Sequence, residues 1–183
     1  MNDVLSFNRH RAWRKYAVSL ANVGLGDTAL DVCTGTGDFA IDLYNKTGPT
    51  GTVIGSDFCE PMVRLGKVKT DKVSSGTIGM SVGDAQAIPF AANSFDVVTV
   101  GFGIRNVVDT AKAFTEMTRV ARPGGRVVCL EFTQPRHWFW SRMVNFYNKA
   151  ILPIIGSMLS RGEAYRYLPA SIDAFHSREE LSA

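Results

Sequence analysis

Cysteine is scarce in this 183-residue chain, and its placement excludes two chemistries. Cys33, Cys59 and Cys129 form no Cys-x-x-Cys pair and are odd in number. Neither a disulfide frame nor a thiolate metal site is predicted, and no metal-binding residue is assigned. The thiols read instead as reduced core side chains of a cytoplasmic protein. Charge of one sign is also lacking: the net charge is +3, too small an imbalance to argue for nucleic acid as a partner. No uninterrupted apolar run reaches the roughly 20 residues that a membrane-spanning helix needs. The most apolar stretch, residues 138–159, is broken by Arg142, Asn145, Asn148, Lys149 and Pro153. The opening Met1-Asn2-Asp3 carries no signal-peptide pattern, and no internal repeat or low-complexity tract is present. What remains, 45% apolar and 20% charged residues, describes a soluble globular protein of one domain by length.

The chain has two textures. Residues 28–132 alternate strand-like and helix-like segments. Strands are predicted at Thr28–Cys33, Thr52–Asp57, Thr77–Val82, Phe95–Gly101 and Arg126–Phe132. Helices are predicted at Asp38–Lys46, Pro61–Lys72 and Thr110–Val120, with Pro61 suited to a first turn where a missing N–H costs nothing. Arg122-Pro-Gly-Gly125 reads as a stop and turn before the last strand. Alternating β and α with nearly continuous apolar strands predicts an α/β fold, a Rossmann-like doubly wound parallel sheet. Such sheets bind ligands at the carboxyl ends of their strands, near the switch point.

Four of those ends are polar or rich in glycine. The first is Asp31-Val-Cys-Thr34-Gly35-Thr36-Gly37-Asp38, an apolar strand that breaks into glycines and then into a helix. Glycine lets the backbone turn sharply and lets a ligand approach without a Cβ in the way. The helix start offers unpaired N–H groups to polar or anionic ligand groups. The other ends are Gly55-Ser-Asp57-Phe58, Val82-Gly83-Asp84-Ala85 and Val100-Gly101-Phe-Gly103-Ile-Arg105-Asn106. A lone Gly-x-Gly is often just a tight turn, and a lone Asp after a strand is usually a cap or turn residue. Their conjunction at one end of one sheet predicts a nucleotide-type cradle.

Asp57 lies 20 positions after Gly37, where a carboxylate accepts hydrogen bonds from both ribose hydroxyls of an adenosine. That spacing does not choose the cofactor. Gly35-Thr-Gly37-Asp-Phe-Ala40 also fits the dinucleotide pattern G-x-G-x-x-A, so a nicotinamide-dependent reductase is a rival, as is a non-catalytic nucleotide-binding module. Two features count against the dinucleotide. Asp31 precedes the glycines within the strand, where a carboxylate suits an amino-acid ammonium better than a pyrophosphate. Asp84, ahead of Ile88-Pro-Phe90, offers an acceptor for an exocyclic adenine amine.

With these motifs in hand, the chain resembles a class I S-adenosylmethionine-dependent methyltransferase. More narrowly, it resembles the ubiquinone/menaquinone C-methyltransferase family. The narrower likeness rests on Met1-Asn-Asp-Val-Leu-Ser-Phe7 with His10-Arg11 and Trp13, on Gly101-Phe-Gly-Ile-Arg-Asn-Val107, on Leu130-Glu-Phe-Thr-Gln-Pro135, and on Ala164-Tyr-Arg-Tyr-Leu168 with Ser171-Ile172 and Phe175. The resemblance implies S-adenosylmethionine as cofactor, held by Asp31, Thr34, Gly35, Thr36, Gly37, Asp57, Phe58, Met62, Asp84, Ala85 and Gly101. It implies C-methylation of a demethylated polyprenyl quinol, demethylmenaquinol to menaquinol, with methylation of another small acceptor as the alternative. The lack of metal-ligand clusters argues against a metal-dependent O-methyltransferase.

The same resemblance divides the single domain into an N-terminal helical cap (1–27), a cofactor-binding core (28–132) and a substrate-side helical lid (133–183). It places a final helix, which Ser177–Ala183 would begin, and then an antiparallel strand pair, a pair this sequence lacks. A five-stranded sheet would leave strand five as an edge that invites pairing with a second copy, hence a homodimer. The apolar stretch after residue 133 reads either as a helix packed on the domain or as a lid for a lipophilic substrate. Contact with the inner face of the membrane would follow from the lid and from basic Arg9, Arg11, Arg14 and Lys15, which otherwise read as a solvated helix face.

For catalysis, the resemblance points to Arg105 and Asn106 as donors to an acceptor oxyanion. It points to His10 and Tyr165 as groups that move a proton. The plainer readings are a packing or capping role for His10 and a salt bridge from Arg105 to Asp109.

Overall fold

The computed structural model describes residues 9–74 and 77–132. The chain divides into two compact units, Met1–Glu131 and Phe132–Ala183. Its elements follow in the order α1 (Arg9–Ala21), β1 (Thr28–Val32), α2 (Asp38–Thr47), β2 (Thr52–Asp57), α3 (Glu60–Ser74), β3 (Ile78–Val82), β4 (Phe95–Gly101), a 3-10 turn (Ile104–Asn106), α4 (Thr110–Val120) and β5 (Ala121–Leu130). The expected α/β class is observed. Every strand pairing is parallel, and the sheet order is β3-β2-β1-β4-β5. The order reverses between β1 and β4, which makes their carboxyl ends the switch point where such sheets hold ligands.

Apolar residues build this sheet. Ala29, Leu30 and Val32 of β1 and Val97, Val98 and Val100 of β4 are buried, as strands covered on both faces require. α2 buries Phe39, Ala40 and Leu43, one stripe of its surface, against β1 and β2. α1 adds Ala17, Val18 and Ala21 to the same core. α2 starts at Asp38, and its N-cap Gly37 adopts φ 79°, a conformation that L side chains rarely take.

Several details differ from expectation: α2 runs on to Thr47, α3 spans Glu60–Ser74 rather than Pro61–Lys72, and β3 starts at Ile78 rather than Thr77. β1 ends at Val32 rather than Cys33, because Cys33 turns into the left-handed region at φ 54°. β5 begins at Ala121, before the expected turn, and ends at Leu130. Ala121 pairs with Phe95 and Arg126 with Val97, so Arg122-Pro-Gly-Gly125 bulges out inside the pairing, with Gly124 at φ 81°. The thiols are free but not all buried: Cys59 and Cys129 are exposed, Cys59 after the end of β2 and Cys129 on β5, the last strand of the sheet.

Candidate active site

Two strand tips meet at the switch point. From β1 the chain runs Cys33 (φ 54°), Gly35 (φ 57°) and Gly37 (φ 79°) into α2, a tight loop that positive φ angles alone can close. Its amides are used on the way: Thr34 N–H donates to the Ser56 carbonyl and Gly37 N–H to the Thr34 carbonyl, both at 3.0 Å. From β4 the chain arrives at Gly103, where a Cβ would lie 2.4 Å from the Cβ of Cys33. Glycine at Gly103 is therefore a steric requirement of the site. The same holds at Gly101, whose Cβ would come within 2.6 Å of the Phe39 ring. Met62 reaches this loop from α3, its Cε 3.6 Å from where a Cβ on Gly35 would stand.

Three carboxylates stand at consecutive tips. Asp31, 1% exposed, accepts from the Thr34 hydroxyl at 2.5 Å and from the Thr99 hydroxyl of β4 at 2.8 Å. Burial pushes its carboxyl up to about 7, against the lowering effect of the two hydroxyls and the charge of Arg14. Asp57 is half-buried and accepts from Gly35 N–H and Cys59 N–H, one on each oxygen, both at 2.8 Å. Asp84 accepts from Gln86 N–H at 2.8 Å and forms an isolated bridge with Ala87, which shapes the turn around buried Ala85. Thr36 donates to Asp38 at 3.4 Å. Phe58 is 79% exposed beside this group. Burial pushes the Cys33 thiol up to about 12, which disfavours the thiolate.

Arg105 does not pair with Asp109. Its Nη1 meets Glu131 at the end of β5 and donates to the Phe102 carbonyl at 2.8 Å. Asp109 instead caps α4, accepting from Lys112 N–H at 2.9 Å. The Arg105 and Glu131 side chains are 9% and 1% exposed, so this is a buried pair. Asn106, the next residue of the 3-10 turn, is exposed. His10 is 5% exposed on the inner face of α1. Tyr165 lies outside the described residues.

The cradle residues Asp31, Thr34, Gly35, Thr36, Gly37, Asp57, Met62 and Gly101 thus gather around the ends of β1, β2 and β4. Sequence reasoning missed Thr99, Gly103, Glu131 and Arg14. Glu131 carried a visible signal, an acid directly after a strand that the parallel order sets beside β4. Arg14 carried none, since its partners Asp38 and Asp42 lie on a different helix, α2, far off in sequence. A shallow groove of about 270 Å³ lined by Asp27, Asp96, Arg122 and Arg126 lies at the opposite, amino end of the strands. No cluster of three or more metal-ligand residues occurs among the described residues.

A profile of the ubiE/COQ5 methyltransferase family matches residues 1–183. The chain belongs to this family. The ubiquinone/menaquinone biosynthesis C-methyltransferase UbiE of Geobacter sulfurreducens is 45% identical over all of this chain and 72% of its own length. The demethylmenaquinone methyltransferase of Staphylococcus aureus strain JH9 is 45% identical over 99% of this chain and 75% of its own. Among solved structures, the YcgJ protein of Bacillus subtilis superposes with a TM-score of 0.64 at 23% identity, covering 76% of this chain and 58% of that one. A methyltransferase of Aquifex aeolicus gives 0.62 at 23% identity, covering 68% and 66%. At that identity these structures support the fold.

Proposed function

We propose that this protein is an S-adenosylmethionine-dependent C-methyltransferase that converts a demethylated polyprenyl quinol, demethylmenaquinol, to the methylated quinol. The observation that carries the reading is Asp57. One lone pair of each oxygen holds the glycine loop or the next helix, and the carboxylate is half-buried with capacity left for two hydroxyl donors. Gly35, Gly37, Gly101 and Gly103 leave room where any Cβ would be strained or would intrude. These features fit an adenosyl ligand. When bound, that cofactor supplies an electrophilic methyl group on a sulfonium centre.

The chain's own residues do the rest. Asp57 holds the ribose hydroxyls, and Asp84 with Ala85 receives the adenine. Phe58 and Met62 flank it with apolar surface. Asp31 supplies negative charge toward the cationic amino-acid end, with Thr34 and Thr36 on the loop. Alignment of methyl donor and ring carbon, with water kept out, is the main catalytic need. At the β4 tip, Glu131 and the Phe102 carbonyl fix the Arg105 guanidinium. A guanidinium is permanently charged and planar, suited to stabilising negative charge that develops on an acceptor oxygen. Asn106 adds a second donor to that oxygen. His10 and Tyr165 are the proton-moving candidates.

The reading extends to a peripheral position on the inner membrane surface. No described helix is long and apolar enough to cross a membrane. Support comes from α1, where Tyr16 and Leu20 are 65% and 49% exposed on a helix that also carries Arg9, Arg11 and Lys15.

Calorimetry with S-adenosylhomocysteine and with NAD tests the cofactor, and methyl transfer to a reduced short-chain demethylmenaquinone tests the acceptor. Binding of the adenosyl ligand alone, with transfer to the naphthoquinol in preference to a benzoquinol, is expected. NAD binding would overturn the reading, and transfer only to an unrelated acceptor would overturn its substrate.

A further inference from the structure

Arg14 lies outside every strand tip, yet its charge reaches two sides of the cradle. Its Nε donates to Asp42 of α2 at 2.7 Å, and its Nη2 stands 3.7 Å from Asp38. Asp38 is the first residue of α2, directly after Gly37, and its other oxygen is 2.8 Å from Lys69 of α3. Asp38 and Asp42 are one helical turn apart and share a face. Three helices on one side of the sheet are thereby tied at the residue where the glycine loop becomes a helix. The Arg14 side chain is 12% exposed, so solvent screens this contact less than a surface pair. Burial works against the charge of Asp38, but the hydrogen bond and charge of Lys69, then the charge of Arg14, outweigh it and hold the carboxyl below its usual range.

The charge of Arg14 also acts on Asp31. Around Asp31 stand the Thr34 hydroxyl and the Cys33 thiol on its own loop, the Thr99 hydroxyl from β4, Asp57 from the end of β2 and Arg14 from α1. Arg14 is the cation of that set; Asp57 opposes it.

We propose that Arg14 is a positioning residue for the cofactor cradle: from α1 it fixes the first turn of α2 through Asp42 and Asp38, at the point where the glycine loop becomes a helix. The inference rests on the methyltransferase reading above. It makes the N-terminal helix part of the binding apparatus although none of its described side chains needs to touch the cofactor.

Calorimetric titration of the full chain with S-adenosylmethionine between pH 6 and 9 tests it, with Arg14→Met, Arg14→Lys and Asp38→Asn alongside the wild type. Arg14→Met is expected to bind on the order of tenfold more weakly, within the range of couplings between linked sites. The pH at which its affinity is half-maximal should move upward, because Asp31 holds its proton longer without the cation. Arg14→Lys keeps the charge and loses the planar fork, so the midpoint returns while part of the affinity stays lost. A purely structural role predicts a lower melting temperature with affinity and midpoint unchanged, and that result overturns the proposal. If Arg14→Met does not fold, Asp38→Asn decides at a half-exposed position: a several-fold weaker affinity supports the proposal, and wild-type affinity refutes it. A wild-type protein that binds no adenosyl ligand would refute the methyltransferase reading itself, a separate outcome.

Discussion

The Gly35 amide donates to Asp57 Oδ2 at 2.8 Å, so the carboxylate assigned to the cofactor ribose also fastens the glycine loop of β1 to the end of β2. One side chain then builds the site and fills a binding role in it. Its other oxygen accepts from Cys59 N–H and starts α3.

Asp57→Ala should therefore weaken S-adenosylmethionine binding by about 1.5–3 kcal/mol, as expected for hydrogen bonds to a charged group. The Gly35 amide should also exchange with solvent faster. Asp57→Asn retains one acceptor and should fall between. Calorimetry with hydrogen exchange on the free protein separates the two roles. Unchanged affinity in a folded alanine variant would remove Asp57 from the ribose.

Asp31 gives the protein an unusual pH response. Its folded value of about 7 lies above the 3.8 of an unfolded aspartate, so the folded state binds more protons between those values. Stability from this group is greatest at acid pH, declines as pH rises through that window, and levels off above about 7. Asp31→Asn keeps the shape and the partners Thr34 and Thr99 without the buried charge. Urea denaturation should show it more stable than wild type at pH 8 by a few kcal/mol, at about 1.4 kcal/mol per pK unit, and nearly equal at pH 4. Affinity for the cationic cofactor should fall in the same variant. A variant less stable than wild type at pH 8 would show that Asp31 is ionised at little cost.

The sheet was legible because its strands are almost wholly apolar and its turns carry glycine, so β2, β4 and α4 match the expected bounds residue for residue. The acids at the tips were legible for the same reason: a polar residue ending an apolar run stands out. What the sequence could not show was partnership across the fold. Thr99 sits mid-strand and looks like any β-branched residue, yet it bonds Asp31 of the neighbouring strand. Arg105 has a near acid in Asp109, but that side chain turns to the α4 N-terminus, and the distant Glu131 takes its place. The β5 start was misread because Arg122-Pro-Gly-Gly125 carries a turn signature, and a bulge inside a ladder uses the same residues as a turn before one.

Gly103→Ala should cost about 1–3 kcal/mol of stability, the usual penalty for forcing atoms into a packed site. The intruding methyl would meet the Cys33 Cβ at 2.4 Å, an atom fixed by the backbone, so rotamer change offers no escape. Urea denaturation measures the loss. Cofactor affinity should fall with it, since both strand tips must move apart. A Gly103→Ala protein as stable as wild type would show that the tips separate freely.

Arg105 carries two roles that a single substitution cannot separate. Arg105→Ala removes one side of a buried ion pair whose side chains are 9% and 1% exposed, and breaking such a pair costs about 3–5 kcal/mol. Lost activity in that variant could come from unfolding alone. The double substitution Arg105→Met with Glu131→Leu removes both charges and should recover most of the stability, since apolar replacements of a buried pair are often neutral. If Arg105 donates to the acceptor oxygen, turnover on a reduced demethylmenaquinone should stay about 10²-fold or more below wild type in the recovered protein, the scale for losing one such donor. S-adenosylmethionine affinity should barely change. Recovery of turnover together with stability would confine Arg105 to holding β4 against β5, and loss of cofactor binding would place it on the other side of the site.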